Sequence, residues 1–510
     1  MSGAVGRQAG GGPDYFIDSP PPFFFIGRRK SILIKCGMPH FCKMRFFMML
    51  LSQSESYTIG TDVILLFCGM PHFCKMEGVM EIERPFYLNR LLRLKDNGRI
   101  KIITGMRRAG KSYLLFTLFR KNLLQKGVPE DCVISISLDE LANARERNPV
   151  ELDRWIRSRL KKDGRRYYIF IDEIQFVESI PNPYLPSTEI TFVDVVMGLM
   201  KLPYVDIYIT GSNSRMLSSE VLTQFRDRGD EVRVYPLSYE EFLSVWQGDI
   251  RFAFNAYCTY GGMPVVQSLS SHEEKSRYLN DLFRRTYIRD VVERNRIAKD
   301  EGVLEELLDI LSSSTGSLTN PAKLSRAFAS MEHIQISGPT ISRYIDYFMD
   351  AFLLEKAQRY DVKGKRYMAS PYKYYFTDVG LRNARLHFRQ QEPTHIMENV
   401  IFTDLRRRGL DVDVGMVEYN YRDEAGHKLR KNLEVDFVVN RGSSRWYIQS
   451  AFRMDTEEKR KQETESLHRI DDSFRKIVVL RDAVIPWQDE QGILYVGVEQ
   501  FLTDPSLLGE

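Results

Sequence analysis

The sequence predicts an α/β fold in which helices flank a parallel sheet, and three segments predict it. "RIKIITG" (99–105) alternates like a strand and leads through a glycine turn into the helical run "YLLFTLFRKNLL" (113–124). "RRYYIFIDEIQ" (165–175) is too apolar to alternate, as expected of a strand buried on both faces of a sheet. "VDIYITGSN" (205–213) is a third strand of this kind.

The glycine turn matches the pattern G-x-x-x-x-G-K-[ST] between a strand and a helix, the context that a phosphate-binding loop requires. Glycines let backbone N–H groups curl around phosphates, and the helix amino terminus adds positive potential. We expect Lys111 to reach the β and γ phosphates and Ser112 to ligate Mg²⁺. The sequence therefore predicts a P-loop NTPase sheet with ATP and Mg²⁺ as cofactors. The predicted nucleotide-binding residues are Gly105, Arg108, Ala109, Gly110, Lys111, Ser112 and Tyr113.

Polar side chains follow two of the predicted strands. Asp172 and Glu173 end the second strand, and carboxylates at the carboxyl end of a parallel strand lie at the ligand crevice. We expect Asp172 to hold Mg²⁺ and Glu173 to orient and deprotonate the attacking water; the alternative is an acidic helix cap. After the third strand, Thr210, Ser212 and Asn213 are candidates to position the water, although a turn would equally select Gly-Ser-Asn.

Arginines near this crevice are candidates to stabilise the γ-phosphate. Arg226 and Arg228 follow the third strand, where an arginine finger from a neighbour or a mobile element would project. The alternative is a solvated charged turn. Arg107 and Arg108, inside the loop, are candidates to neutralise phosphate or, more modestly, to pack or face solvent.

A series of motifs extends over about residues 80–510. In chain order they are "ITGMRRAGKS", "YIFIDEIQ", "ITGSNSRML", "VYPLSYEEF", "YGGMP" and "YIRDVVERN". In this order and at these spacings the chain resembles bacterial and archaeal ATPases of the AAA+ superfamily with a carboxyl-terminal domain of unknown function. The resemblance implies an additional-strand (ASCE) P-loop fold, with Asp172 and Glu173 as the Walker B pair and Asn213 as a sensor.

Residues 303–390 predict three helices and a hairpin, the outline of a winged helix. Its third helix would read DNA and its hairpin would form a basic wing against phosphate. The alternative is a module that docks on the ATPase and touches no DNA. The candidate contacts are Thr340, Ser342 and Arg343 on the helix and Lys363, Lys365 and Arg366 on the wing.

The last segment resembles the PD-(D/E)XK nuclease fold. Glu398 on a helix and Asp436 on a strand match the first two acidic positions of that motif, whose residues gather Mg²⁺. Gln449 replaces the third acid and Ala451 replaces the lysine, so we expect a nuclease-like fold without ordinary nuclease activity. Lys431 and Arg453 are candidates to replace the missing lysine.

The amino-terminal stretch differs from the rest. "CGMPHFCKM" occurs twice, at 36–44 and 68–76. The paired Cys and His residues would suit zinc, but an exact copy is more typical of a translated repeated DNA element. We expect this stretch to be poorly ordered. The predicted regions are 1–79 as a disordered or non-native extension, 80–245 as the ATPase, 246–302 as a helical lid or bridging segment, 303–390 as the winged-helix-like segment and 391–510 as the nuclease-like domain, expected to be inactive.

Composition limits the partners. With 510 residues, 43% hydrophobic and 27% charged, the chain can form several cores. A net charge of +4 is small for this length, so any nucleic-acid site would be a local basic patch and not a global basic field. Six cysteines favour a reducing compartment, and we expect the cytoplasm. No apolar segment reaches the length of a membrane span. Two functions stay open: an ATPase motor or switch on DNA, and a nucleotide-gated switch that binds a protein partner. An active Mg²⁺ nuclease is a third, and the oligomeric state is not predicted.

Overall fold

The amino-terminal half contains a five-stranded parallel sheet. In the computed structural model, the strand order is β2-β3-β6-β1-β7 and every pairing is parallel. The α/β P-loop fold class predicted from the sequence is therefore confirmed. The strands are β1 (Ile100–Thr104), β2 (Val133–Ser137), β3 (Tyr167–Asp172), a short hairpin of β4 (Ile180–Pro181) and β5 (Glu189–Ile190), β6 (Val205–Thr210) and β7 (Gly229–Arg233). The described residues are 81–211, 225, 228–295, 297, 301–331, 335–390, 392–422 and 427–509.

Helices cover both faces of this sheet. On one face, Phe119 packs against Phe170 and Tyr208, with ring centroids 5.8 and 4.9 Å apart. On the other face, Ile156 and Leu199 belong to a cluster with the strand isoleucines. Burial on both faces explains why the central strands are apolar without alternation. The helices are α1 (Pro85–Leu94), a π-helical segment (Tyr113–Phe119) that continues into α2 (Arg120–Gln125), α3 (Pro149–Arg159), α4 (Phe192–Met200) and α5 (Tyr239–Leu243).

A helical region follows the sheet. The order of three helices and a hairpin is the order that the sequence predicted for 303–390. Among the described residues, no helix is long and apolar enough to cross a membrane. The helices are α6 (Ala253–Tyr260), α7 (His272–Leu282) with a π-helical continuation (Phe283–Ile288), α8 (Arg289–Asn295), α9 (Glu301–Ser313), α10 (Pro321–Met331) and α11 (Gly338–Asp350).

The carboxyl-terminal half is a mixed eight-stranded sheet of order β14-β15-β13-β12-β11-β10-β8-β9. Its helices are α12 (Val379–Arg385), α13 (Pro393–Arg407), α14 (Glu457–His468) and α15 (Val498–Thr503). Its strands are β8 (Leu354–Asp361), β9 (Arg366–Phe376), β10 (Asp411–Arg422), β11 (Lys428–Arg441), β12 (Ser444–Ala451), β13 (Arg475–Leu480), β14 (Trp487–Gln488) and β15 (Leu494–Gly497).

The proposed wing is continuous with this sheet. Strand β8 pairs in parallel with β10, which places Arg359 opposite Val414 and Asp361 opposite Met416. The predicted boundary between residues 390 and 391 therefore does not separate two sheets. Local periodicity gives no information about pairing between strands so far apart in the chain. The sequence analysis therefore could not detect that one sheet contains strands on both sides of this boundary.

Candidate nucleotide site

The loop after β1 has the backbone shape of a phosphate cradle. Gly105 and Gly110 have φ values of 132° and 93°, which side chains other than glycine rarely adopt. A Cβ at Gly105 would also lie 2.1 Å from the carbonyl oxygen of Val234. Backbone geometry thus requires both glycines of the motif, and the close approach of the Val234 carbonyl is a second requirement at Gly105.

Lys111 lies inside the cradle and retains its position through main-chain acceptors. Its Nζ donates to the carbonyl oxygens of Gly105 and Met106, each at 3.0 Å, and the residue is only 4% exposed. Carbonyl oxygens satisfy the ammonium without neutralising it. The Nζ is thus held at the loop by neutral acceptors, and its positive charge also acts to lower the pKa of Asp172.

Ser112 and Asp172, the two predicted metal ligands, lie close together. The Ser112 hydroxyl is near enough to the Asp172 carboxylate to lower its pKa, and the Thr210 hydroxyl donates a hydrogen bond to the same carboxylate from the end of β6. Burial is the main cause that raises the pKa of Asp172 to about 6, and the nearby Glu173 charge adds to it. The hydroxyl and carboxylate oxygens of these residues are of the type that Mg²⁺ prefers.

Glu173 lies beside this group. Its φ is 50°, and its backbone N–H donates to the Thr210 hydroxyl at 3.1 Å. The Gln175 side-chain amide donates to the Glu173 carboxylate. Thr210 thus links the ends of β3 and β6, and Gln175 orients the acidic side chain next to Asp172.

A buried arginine that sequence reasoning missed supports the loop. The Arg84 guanidinium donates to the carbonyl oxygens of Ala109 at 2.9 Å and Tyr235 at 2.8 Å, and to the Glu241 carboxylate at 3.0 Å. Glu241 also caps α5 by accepting from the Ser238 backbone N–H. Arg84 and Glu241 are separated by 157 residues, so no local pattern could have paired them.

The helical region after the sheet borders the loop. A Cβ at Gly110 would lie 4.0 Å from Pro264 of the "YGGMP" motif, and the Arg108 guanidinium lies 5.9 Å from the centre of the Tyr278 ring of α7. The Gly262 carbonyl accepts from the Leu237 N–H at 2.7 Å. The predicted lid therefore contacts the phosphate loop through α7 and this motif.

The same motif is bound to the carboxyl-terminal half. The buried Asp378 carboxylate accepts from the backbone N–H groups of Gly262 at 2.8 Å and Leu381 at 2.9 Å. Burial raises the pKa of Asp378 to about 6, and these backbone donors partly oppose the rise. One carboxylate therefore joins the lid to the start of α12.

The other predicted residues of this site have different outcomes. Ser212, Asn213 and Arg226 lie outside the described residues. Arg228 does not reach the site within this chain. Its carbonyl oxygen pairs with the Ile100 N–H at the start of β1, the edge of the sheet opposite the loop. Because β1 and β7 are parallel, a residue just before β7 cannot be near the end of β1.

The backbone of Tyr113 belongs to the loop, but its side chain has a partner elsewhere. The Tyr113 hydroxyl hydrogen-bonds the backbone of Ile82, in the segment before α1. Arg107 is half-buried and Arg108 is exposed, apart from its contact with Tyr278. The structure thus places the loop's arginines at its rim.

A second cluster of acidic residues occurs in the nuclease-like region. Glu398 of α13 accepts from the Lys373 ammonium of β9 at 2.8 Å and from the Tyr375 hydroxyl at 2.7 Å. Lys373 also pairs with Glu434 at 2.7 Å and lies 3.9 Å from an oxygen of Asp436, the second predicted acid. The ammonium therefore lies between the carboxylates that the resemblance assigned to a metal.

One ammonium serves all the acids of this cluster. Burial raises the pKa of Asp436 well above its ordinary value, and the Glu398 charge adds to it. Burial is also the largest influence on Glu398, but the Lys373 charge together with hydrogen bonds from His395, Lys373 and Tyr375 outweighs it and holds that pKa below its ordinary value. The Gln449 oxygen lies 3.4 Å from the Asp436 backbone nitrogen as an acceptor.

The lysine of this cluster is not one of the predicted candidates. Lys431 pairs with Glu465 at 3.4 Å, Arg453 is exposed, and Ala451 is buried. Lys373 precedes Glu398 by 25 residues and reaches it across the edge of the sheet. In the described part of the chain, no group of three or more Cys, His, Asp or Glu side chains is arranged to hold a metal ion. The duplicated Cys and His motifs lie outside the described residues.

The predicted DNA-contacting residues are accessible. Arg343 on α11 and Lys363, Lys365 and Arg366 at the β8–β9 turn are exposed, and Thr340 and Ser342 are half-buried. Asp346 lies one turn after Arg343 and is exposed as well. The helix therefore presents charges of both signs.

Two family models match the chain. A model described as an AAA domain matches residues 97–243, and one described as a domain of unknown function (DUF8612) matches residues 251–392. An uncharacterized protein of Haemophilus influenzae is 31% identical over 403 residues, which cover 78% of this chain and 93% of that protein. An uncharacterized protein of Methanocaldococcus jannaschii is 28% identical over 382 residues, covering 71% and 77%.

Solved structures show weaker similarity. The Walker-type ATPase PABY2304 of Pyrococcus abyssi is 14% identical, with a TM-score of 0.41 and coverage of 60% of this chain and 96% of that chain. AMPPCP-bound DnaA of Aquifex aeolicus is 16% identical, with a TM-score of 0.28 and coverage of 51% and 85%. The high coverage of the Haemophilus influenzae relative and the matched AAA domain decide the assignment: this chain belongs to the same family as that relative, within the AAA+ superfamily of P-loop ATPases.

Proposed function

We propose that this chain binds ATP with Mg²⁺ at the loop after β1, hydrolyses it, and uses the cycle as a switch on DNA. The observation that carries the proposal is the contact between Ser112 and Asp172 at the mouth of a cradle that holds the Lys111 ammonium. A glycine turn that served only to connect a strand and a helix would need none of these three side chains.

The residues at the mouth fit Mg²⁺. The Ser112 hydroxyl and Asp172 carboxylate are already in contact, and a divalent cation beside them would favour the ionised form of an acid whose pKa burial raises to about 6. When bound, Mg²⁺ would neutralise charge on the β and γ phosphates and orient them. Ser112 and Asp172 are the residues that would hold it.

The remaining groups divide the work of hydrolysis. Loop N–H groups and Lys111 bind the phosphates, and Lys111 stabilises the negative charge that develops on the γ-phosphate. Glu173, oriented by Gln175, accepts a proton from the attacking water. Arg84 fixes the loop by donating from its guanidinium to the Ala109 carbonyl oxygen. This bond uses none of the loop's backbone N–H groups, which would bind the phosphates.

The path from the nucleotide to the rest of the chain runs through the lid. Arg108 contacts α7, and Gly262 binds Asp378 at the start of α12. A change in the loop on hydrolysis would therefore move the lid against the carboxyl-terminal half. In this proposal the wing residues Lys363, Lys365 and Arg366 belong to the half that moves, and they contact the DNA.

The nuclease-like region takes no part in DNA cleavage in this proposal. The Lys373 ammonium already occupies the space between Glu398 and Glu434 and pairs with both, and Lys373 and Glu398 are buried. Two carboxylates bonded to an ammonium offer little affinity for a second cation. The region acts as a rigid support for the wing hairpin.

One observation favours a protein partner as a second candidate. Asp346 lies one helical turn from Arg343, so the exposed face of α11 carries a negative charge that DNA phosphates would repel. A protein surface with a basic group could pair with Asp346 instead. In that case ATP would gate protein binding and DNA would leave turnover unchanged.

The experiment is ATP turnover by the full chain, with and without duplex DNA, beside the double variant Lys363→Ala/Lys365→Ala. We expect DNA to raise turnover in the unaltered chain and to raise it less in the variant, while basal turnover stays equal. Turnover that does not respond to duplex or single-stranded DNA would contradict the DNA switch and favour the protein-gated candidate. Lys201→Ala, an exposed lysine of the ATPase region, is the matched control.

A further inference from the structure

A cleft of about 390 Å³ opens between the lid and the helices that follow it. It lies away from the phosphate loop, and α7, α9 and the segment after α12 form its walls. Its volume falls within the range of about 300–1,000 Å³ that is typical of small-molecule sites. The lining residues used below are Asn280, Arg284, Asp309, Arg385, Arg389 and Gln390.

Positive charge is in excess in this cleft. Arg385 is paired with Asp309 at 2.5 and 2.8 Å, and Glu305 lies 3.5 Å from it, so both carboxylates of the cleft face the same guanidinium. Neither Arg284 nor Arg389 makes an ion pair or a side-chain hydrogen bond with another described residue. The cleft therefore presents two arginines that are available to an anion.

A third guanidinium lies directly behind the wall. Arg382 is 0% exposed and donates to the carbonyl oxygens of Ser312 at 2.8 Å and Gln390 at 2.6 Å, and Gln390 lines the cleft. Its Nη2 is buried without a hydrogen-bond partner among the described residues. Burial lowers the pKa of Arg382, and the Glu392 charge partly opposes this effect. A buried guanidinium that is hydrogen-bonded only to neutral groups is costly, and a further anion near it would reduce that cost.

We propose that this cleft binds a small phosphorylated ligand, with Arg284 and Arg389 as its phosphate contacts. Arginine guanidinium groups match phosphate oxygens in charge and in bidentate geometry. A bound phosphate would also reduce the electrostatic cost of the buried Arg382 charge.

The site has a route to the nucleotide. Asn280 and Tyr278 are on the same helix, α7, and Tyr278 contacts Arg108 of the phosphate loop. A ligand that holds α7 would therefore change the position of a loop residue. The inference does not rest on the proposed ATPase activity, because the cleft shares no residue with the phosphate loop.

The test is calorimetric titration of the full chain with inorganic pyrophosphate, in a Lys111→Ala background that removes phosphate binding at the loop. We expect one saturable site whose affinity falls at least tenfold in Arg284→Gln and in Arg389→Gln. Arg277→Gln is the control, because Arg277 is exposed on α7 but does not line the cleft.

Absence of saturable binding would overturn the proposal, as would binding that both cleft variants leave unchanged. Arg284 and Arg389 are exposed, so their substitution should leave the melting temperature unchanged, and a shared melting temperature distinguishes lost binding from lost folding.

Discussion

Two of the buried lysines lie beside predicted metal-binding acids, Lys111 at the proposed nucleotide site and Lys373 in the acidic cluster that we propose is inert, and their acceptors differ. Lys111 donates to two backbone carbonyls, at 3.0 Å each, next to the exposed Ser112. Lys373 donates to Glu398 and pairs with Glu434, and it is 3% exposed. A carbonyl holds an ammonium in place without cancelling its charge, whereas a carboxylate cancels it.

The acids of the two sites differ in the same way. Asp172 accepts from the Thr210 hydroxyl, lies near the Ser112 hydroxyl and keeps a raised pKa of about 6, so a cation that binds there would stabilise its ionised form. Glu398 has a lowered pKa because the Lys373 charge and the hydrogen bonds from His395, Lys373 and Tyr375 together outweigh its burial. The comparison teaches that the acidic residues of a motif indicate a metal site only where no buried cationic side chain already pairs with them.

The largest expected effect is on stability at the inert cluster. Lys373→Ala should destabilise the chain by about 3–5 kcal/mol, because it leaves buried carboxylates without their counter-charge. Urea unfolding followed by circular dichroism measures it. Lys356→Ala, on neighbouring β8, removes an exposed lysine and should cost about 1 kcal/mol or less.

The same variant sharpens the comparison through its response to cations. Removing the ammonium should give the cluster affinity for Mn²⁺, so Mn²⁺ should raise the melting temperature of Lys373→Ala but not that of the unaltered chain. Equal stability of the two proteins would show that Lys373 does not neutralise the cluster.

The next effect is on turnover. Lys111→Ala should lower ATP turnover by about a hundredfold or more, because the developing charge on the γ-phosphate loses its nearest cation. Phosphate release measures it. Lys126→Ala, an exposed lysine just after α2, should turn over ATP at the unaltered rate. Normal turnover in Lys111→Ala would contradict the assignment of this loop as the site of ATP hydrolysis.

A smaller effect concerns Asp172 and pH. The folded chain raises the pKa of Asp172 from 3.8 to about 6, so it holds this proton more tightly than the unfolded chain does. Stability without metal should therefore fall as pH rises from about 4 to about 6, and Asp172→Asn should add about 1–3 kcal/mol at pH 7.

Function should change in the opposite direction in that variant. Asp172→Asn should lose Mg²⁺-dependent turnover although it is more stable, and turnover of the unaltered chain should decline below pH 6. Urea unfolding without metal and a pH profile of phosphate release measure the two parts. A variant that is less stable at pH 7 would show that Asp172 is not strained by burial.

The smallest effect is at the wing. Replacing Lys363 or Lys365 by Ala should reduce the salt slope of DNA binding by about one, because each exposed lysine releases about one counterion. Fluorescence anisotropy at several salt concentrations measures it. An unchanged slope in both variants would place DNA, if it binds, on another surface.

The sequence predicted the parts that contiguous motifs encode. Lys111, Ser112, Asp172 and Glu173 follow strands directly, and parallel strands bring their carboxyl ends to one edge, so their meeting could be inferred. Arg84 and Lys373 could not be found in this way, because their partners are joined to them only by tertiary packing.

Two placements have the same cause. Arg228 is a candidate finger from a neighbour or a mobile element, and the direction of β7 places it away from the loop of its own chain. The predicted boundary between residues 390 and 391 lies between strands of one sheet, because β8 pairs with β10. The direction of a strand and its pairing partner depend on the whole fold, so local sequence patterns cannot predict them.

The most direct measurement is phosphate release from ATP by the full chain beside Glu173→Gln and Glu178→Gln. Glu173 is next to Asp172 at the loop, whereas Glu178 is exposed a few residues further along the chain. We predict that Glu173→Gln still binds ATP but loses turnover, and that Glu178→Gln behaves as the unaltered chain. Turnover that survives in Glu173→Gln would contradict the assignment of this site as the one that hydrolyses ATP.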